Sequence, residues 1–454
     1  MYNVVSTIKG YFQMKKMKLF SLAWPIFIET ALFMLLGTVD VFVLSRYDDL
    51  AASSVNAANQ AVSITTIVFT VISTASAVMI SQYLGAKKRQ SASGVAALSL
   101  SFHLVFGVLI SLLFVFFGKP ILEFIGAKGN VLTFANEYLS IVGGFIFLQA
   151  LMSSMSVIIR NHKMTKISMY VTVGMNVVNT VLDVVFVLGL FGLPKMGVRG
   201  VAVATTVSRF LGVLVLGFVL FKKIEKPSIF RLLKPFPKED VGNIVKIGVP
   251  AAMETFLYNV SQVIITSIVL NCLTEAELIT KTYVHNITMF FYIFAVSIGQ
   301  ASQIMMGHLV GAKKFDEAGK QAYRSYGIAL AVVMTVSFVG VLFRNSLMGV
   351  FTDDNTVIAL GANVLLINLI LELGRTSNLV LIACLRGAGD VFYPTLCAIF
   401  SNILISTLGS YLFAVVFGMG IYGLWIALAL DECVRGGLMF LRIRSGKWKT
   451  KAIT

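Results

Sequence analysis

The stretch "MISQYLGAKK", residues 79–88, returns as "MMGHLVGAKK" at residues 305–314. Each copy is an apolar run closed by glycine, alanine and two lysines, the composition of a membrane helix reaching a polar surface. The copies stand 226 residues apart, and the sequence around them keeps the same frame. "WPIFIET" (24–30) answers "VPAAMET" (249–255), pairing Pro25 with Pro250 and Glu29 with Glu254. Arg160 meets Arg386, Asn176 meets Asn402, and "MGVRG" (196–200) meets "MGIYG" (419–423). Any one match is weak, because Pro, Gly and Lys are common at helix ends. Five in one order, at spacings of 223 to 226, mark an internal duplication.

The composition says where such a chain lives. Its 454 residues are 57% hydrophobic and 13% charged, and the mean hydropathy is +0.87. These values lie outside the range of soluble domains and inside that of polytopic membrane proteins. Twelve segments are long and apolar enough to span, near 19–45, 54–83, 94–117, 138–159, 168–190, 200–221, 244–270, 284–309, 325–343, 359–384, 394–417 and 421–441. The basic N-terminal arm has no small-residue cleavage site, so the first span is expected to stay in the mature protein. The longest basic loop, "KKIEKPSIFRLLKPFPKED" (222–240), separates two halves of six helices. The expected units are a first lobe of 1–221, a linker of 222–243 and a second lobe of 244–454. Because six is even, both halves start on one side and are parallel repeats about an axis along the membrane normal.

A net charge of +16 raises the question of nucleic acid, and its distribution answers it. Of 37 Lys and Arg, 26 lie in the N-terminal arm, the even-numbered loops and the tail, against 7 in the odd-numbered loops. Short clusters at helix ends on alternate loops obey the positive-inside rule, which places both termini in the cytoplasm. A nucleic-acid patch would gather on one face. The four cysteines are far apart, with no metal-ligand or disulfide spacing, and read as small apolar fillers.

The repeat frame, Pro25 followed by Asp40 in helix 1, "NTVLD" in helix 5, "GVRGVAVAT" (197–205), "LRGAGD" (385–390) and the doubled "GAKK" resemble the multidrug and toxic compound extrusion (MATE) family. The likeness runs over nearly the whole chain. It implies an all-α polytopic protein whose twelve transmembrane helices form two pseudo-symmetric six-helix bundles in a V. It also implies antiport, in which entering Na⁺ or H⁺ drives an organic cation or amphipathic drug out. The expected setting is a bacterial or archaeal plasma membrane, with the protein acting as a monomer, without a cofactor and without nucleic acid.

Asp40 and Asp183 sit deep in apolar runs, where a charge costs about 2.5–3.5 kcal/mol on insertion scales and marks a functional candidate. Asn179 lies one turn before Asp183 on the same face, and Thr205 follows the "GVAVA" run of helix 6. If the helices gather as the resemblance implies, the four make an all-oxygen set for Na⁺, with no other metal expected. The same pair of carboxylates suits a proton, because the two cannot both stay ionised in a low dielectric. Pro25 is the expected hinge, its missing donor leaving a carbonyl free. Singly, Asn176, Asn179 or Thr205 serves equally as interhelical hydrogen-bond glue.

In the second half, Ile265 stands opposite Asp40 and Gly409 opposite Asp183. Arg375 stands about where the resemblance would put a second acid, so a cation site there is not expected. Glu254, Glu372 and Arg375 are instead expected as one charged cluster in the substrate cavity, with Asn176 contributing from the first half. Arg209, Asp431, Glu432 and Arg435 are expected to pair between helices without a part in transport. Enzyme signatures are missing: no HExxH, GxSxG or phosphate loop occurs, and the four histidines are dispersed. The competing function is a flippase for lipid-linked saccharides of similar architecture, whose cavity needs more charge for phosphate or sugar acids.

Overall fold

The computed structural model describes residues 18–45, 48–192 and 194–453. Twelve helical rods carry the chain across the bilayer among these residues. They are α1 (Leu19–Ser45), α2 (Asp49–Gly85), α3 (Arg89–Ile125), α4 (Gly129–Val142 and Ile146–Asn161), α5 (Thr165–Leu188) and α6 (Gly197–Val219). The second six are α7 (Lys238–Cys272), α8 (Glu275–Gly311), α9 (Phe315–Leu342), α10 (Asn355–Gly387), α11 (392–416) and α12 (Gly420–Arg444). Ten are apolar spans, and α4 is an eleventh, bent by 49° at its break. In α12, Asp431, Glu432 and Arg435 interrupt the apolar run, and it still completes the set.

Several rods outrun the apolar segments that predict them. α2, α3 and α8 each have 37 residues, about 55 Å of helix against a hydrocarbon core of about 30 Å. The apolar run fixes the buried stretch, whereas capping fixes the end. Asp48 accepts from the N–H groups of Leu50 and Ala51 to start α2. Thr274 and Glu277 form a capping box that starts α8. Likewise α7 begins at Lys238, inside the predicted basic loop, with Glu239 and Asp240 in its first turn. Large side chains such as Phe116 (72% exposed), Val263 (70%) and Phe400 (62%) face outward, as a lipid-facing surface requires.

The duplication is visible in the backbone. Lys87 and Lys313 both adopt the left-handed conformation, at φ 59° and 58°, and so close matched turns between α2 and α3 and between α8 and α9. Lys163 (φ 65°) and Gly389 (φ 91°) do the same after α4 and α10. At this lysine-rich end α2 crosses α8, and the crossing is twofold. Gln82 Nε2 donates to the Gly387 carbonyl at 2.9 Å, and His308 Nε2 donates to the Asn161 carbonyl at 2.9 Å. Residues 82 and 308, like 161 and 387, are 226 apart. Each bond is therefore the other's repeat image. Gly85 lies against the His308 backbone and Gly311 against that of Gln82, approaches that a Cβ would block. Beyond α12, the segment 447–453 crosses the same place. Trp448 is buried against Phe315, while the Ile453 N–H donates to Gln82 Oε1 at 2.8 Å.

Apolar contacts also link the halves at α1. Leu19, Leu22 and Ile26 pack with Ile298 and Ala301 of α8 and Ala329 of α9. α1 continues through Pro25 without a break. Because Pro25 has no N–H, the Ser21 carbonyl lacks its helical partner, and Thr165 Oγ1 of α5 donates to it at 3.5 Å.

Candidate cation site and central cavity

α1 and α5 pack side by side, with α6 along α5. Asp40 faces α5 from the outer part of α1. Asn179 and Asp183 share one face of α5 because they are four residues apart, and Thr205 faces them from the first turns of α6. All four are buried: Asp40 is 3% exposed, Thr205 1%, and Asn179 and Asp183 0%. Thr205 Oγ1 donates to Asp40 Oδ2 at 3.4 Å. The amide nitrogen of Asn179, oriented by the acceptors around it, donates to Asp40 Oδ1 at 3.1 Å and to Asp183 Oδ2 at 3.2 Å. The two carboxyl groups lie within hydrogen-bonding reach of each other. Asp183 Oδ1 is buried and has no hydrogen-bond partner.

Of the four, Asp40 lines a cavity of about 540 Å³, and the other three lie behind it. Asp40, Tyr138 and Arg209 line one part of it; Glu29, Arg160 and Gln300 line another. Gln300 comes from α8, so the wall joins both halves. Arg160 Nη1 donates to Gln300 Oε1 at 2.9 Å and stands 4.0 Å from Glu29 Oε2. Ser168 Oγ donates to Glu29 Oε1 at 2.8 Å. Glu29, the repeat partner of Glu254, is thus a cavity residue.

Two side chains escape the sequence reading. Tyr138, on the first piece of α4, is 2% exposed and reaches the hydroxyl of Thr205. Arg209 of α6 lines the cavity within electrostatic range of Asp40 and Tyr138. From the sequence Arg209 is expected to pair between helices, whereas among the described residues it makes no ion pair and lines the cavity. The signal was present: Arg209 is four residues after Thr205, so any face that brings Thr205 inward brings Arg209 with it.

The expected substrate cluster of the second half is corrected as well. Glu254 pairs with Arg386 at 2.6 Å, while Glu372 pairs with Arg375 at 2.7 Å. Residues 372 and 386 are about 21 Å apart along α10, too far for the three expected residues to form one group. Asn176 donates to the Thr172 carbonyl of its own helix at 2.8 Å and is not among the residues lining the cavity. A polar side chain that shares the carbonyl one turn before it is satisfied locally and has no need of a cavity. In α12, Arg435 binds Asp431 at 2.7 Å and Glu432 at 3.1 Å on its own helix. The links to other helices run through Ser401 to Asp431 and Asn378 to Glu432 (2.8 Å). The expected pairing between helices therefore holds for the acids, and Arg435 pairs within its helix.

Comparison with known proteins follows the same duplicated frame. The sequence profile of the MatE family matches residues 25–185 and 250–412, each match starting at the proline of the repeat. A Bacillus subtilis (strain 168) protein described as "Uncharacterized transporter YisQ" is 36% identical over 439 residues, covering 97% of this chain and 96% of its own. The "Probable multidrug resistance protein NorM" of Thermotoga maritima is 28% identical over 440 residues, covering 96% and 94%. Among solved structures, MATE in the straight conformation superposes with a TM-score of 0.86 at 20% identity, over 94% of this chain and 96% of that one. An outward-facing MATE family multidrug resistance transporter does so with a TM-score of 0.85, over the same shares. A fold of apolar rods written twice, matched twice by one profile and shared end to end with these relatives, places the chain in the MatE family of membrane transporters.

Proposed function

We propose that this transporter is a secondary active antiporter that exports organic cations or amphipathic drugs in exchange for entering Na⁺ or H⁺. Asp40, Asn179, Asp183 and Thr205 hold the coupling cation. The observation that carries this reading is the contact of two buried carboxyl groups beside a cavity of about 540 Å³. Two negative charges at that distance repel strongly in a low dielectric, and Na⁺ or a proton relieves the repulsion. For Na⁺, the Asn179 amide turns its oxygen to the ion; for a proton, the amide nitrogen keeps its present bonds. The halves 1–221 and 244–454 act as lobes, and Pro25 lets α1 bend as the cation enters. The chain works in the plasma membrane with both termini in the cytoplasm, in keeping with its loop charges.

A flippase for lipid-linked saccharides is the second reading, favoured by the two guanidinium groups, Arg160 and Arg209, that line the cavity. One experiment separates the two. The protein is reconstituted in vesicles carrying a cationic dye, and Na⁺ and proton gradients are imposed separately. Antiport predicts gradient-driven dye movement under one of them, lost in Asp40→Asn and in Asp183→Asn. A dye that stays put under both gradients, with movement of a fluorescent lipid-linked sugar, establishes the flippase.

A further inference from the structure

Arg209 is a partly exposed cation on the cavity wall that the proposed exchange leaves unused. Its guanidinium lines the cavity one helical turn from Thr205, whose hydroxyl is bonded to Asp40. It lies within electrostatic range of Asp40 but makes no ion pair among the described residues. A guanidinium stays protonated under all ordinary conditions. The local charges are then two carboxylates against one fixed cation, and a single added monovalent cation brings them to neutrality.

We propose that Arg209 is a tethered counter-ion that competes with the coupling cation for Asp40, an inference that rests on the antiport reading above. An emptied carboxylate left alone in a dry site is strongly unfavourable. A swing of the flexible Arg209 side chain onto Asp40 supplies the missing positive charge when the cation leaves. A returning cation displaces the guanidinium into the cavity. There it repels an organic cation held between Glu29 and Gln149, whose Oε1 has no hydrogen-bond partner. One side chain thus joins the two halves of the exchange: it stands at Asp40 while drug is bound and in the cavity while the coupling ion is bound. Arg209 acts as a positioning residue, through charge, on ligands bound by other groups.

The test uses full-length protein, purified and then reconstituted. Calorimetric titration with NaCl at alkaline pH, and proton uptake by a soluble indicator in Na⁺-free buffer, should each be read in the wild type, Arg209→Gln and Arg209→Lys. The wild type should take up one monovalent cation per chain. Arg209→Gln should bind that cation about tenfold more tightly, because its competitor is gone, while gradient-driven dye export falls at least about tenfold. Arg209→Lys should keep both properties near the wild type. Unchanged or weaker cation binding in Arg209→Gln, or two cations per wild-type chain, overturns the proposal. Should Arg209→Gln fail to fold, Arg209→Met, which also removes the charge, is read in its place against the same expectations. Failure of the antiport reading is separate: no gradient then drives export even in the wild type.

Discussion

The two halves share a frame and differ in what they do with charge. Each carries a Glu one turn after a proline and an Arg at the end of its fourth helix. In the second half Glu254 and Arg386 close to 2.6 Å. In the first, Glu29 and Arg160 stay 4.0 Å apart, with Arg160 drawn to Gln300 and Glu29 to Ser168. Where the first half has Asp40 and Asp183 in contact, the second has Ile265, fully buried, and Gly409. The remaining deep acids of the second half, Glu372 and Asp431, are each matched by an arginine at 2.7 Å. One copy has neutralised its charges internally, and the other keeps an uncompensated acid pair next to a cavity. Duplication supplied a symmetric scaffold, and the proposed ion chemistry rests on the asymmetry of its charges.

The sharpest way to break this contrast is to remove it. Asp40→Asn or Asp183→Asn should lower gradient-driven dye export by about a hundredfold or more while leaving folded protein in the membrane. Adding Asp at Ile265 should not restore export, because no second acid waits at Gly409. Full export in both Asn variants would show that the asymmetry is incidental. Next in size is the hinge. Pro25→Ala returns a donor to the Ser21 carbonyl and should cut export about tenfold, whereas Pro250→Ala, in the copy without the acid pair, should change it by less than about twofold. Equal effects, read in the same vesicle assay, would show that the bend is not peculiar to the first half.

The ion pairs give a smaller effect, on stability. Arg386→Met leaves Glu254 without its close partner and should cost about 2 kcal/mol, since both groups are partly exposed. Arg160→Met, at the looser pair, should cost about 1 kcal/mol or less. Melting temperatures in detergent should fall further for Arg386→Met, and the reverse order would undo the comparison. The smallest effect is a pH slope set by the turn after α4. Burial holds the His162 imidazole below its ordinary 6.5, and the Arg89 charge adds to this. The matched position in the second half is Ala388. The unfolded chain therefore takes up a proton at position 162 before the folded chain does. The stability His162 contributes is present above 6.5 and lost as the pH falls through the depressed folded value. His162→Gln should flatten the fall in melting temperature on the acid side and leave the alkaline side unchanged.

How far the sequence reaches depends on what periodicity encodes. Hydropathy and the repeat give the rods, their order and their duplication, because burial in lipid is written along each segment. Depth marks Asp40 and Asp183, helical face joins Asn179 to Asp183, and the family resemblance supplies the gathering of helices 1, 5 and 6. Contacts between segments are not written that way. Nothing in the spacing of Glu254 says that its partner is Arg386 rather than Arg375, since both lie on α10 and only the packing of α7 against its neighbours selects one. Tyr138 was missed for the same reason: its helix is broken, and the break decides which way the ring points. Arg209 was legible from its spacing to Thr205 and was set aside on its chemistry.

The crossing of α2 and α8 has a kinetic consequence. The bonds from Gln82 to Gly387 and from His308 to Asn161 are images of each other about one axis, so a motion that strains one strains the other equally. On the antiport reading they are expected to give way together, so that parting at this face has a threshold. The stitch from Ile453 to Gln82 belongs to one side only. It raises that threshold without sharing in the symmetry, so trimming it would speed the step while leaving its abruptness intact.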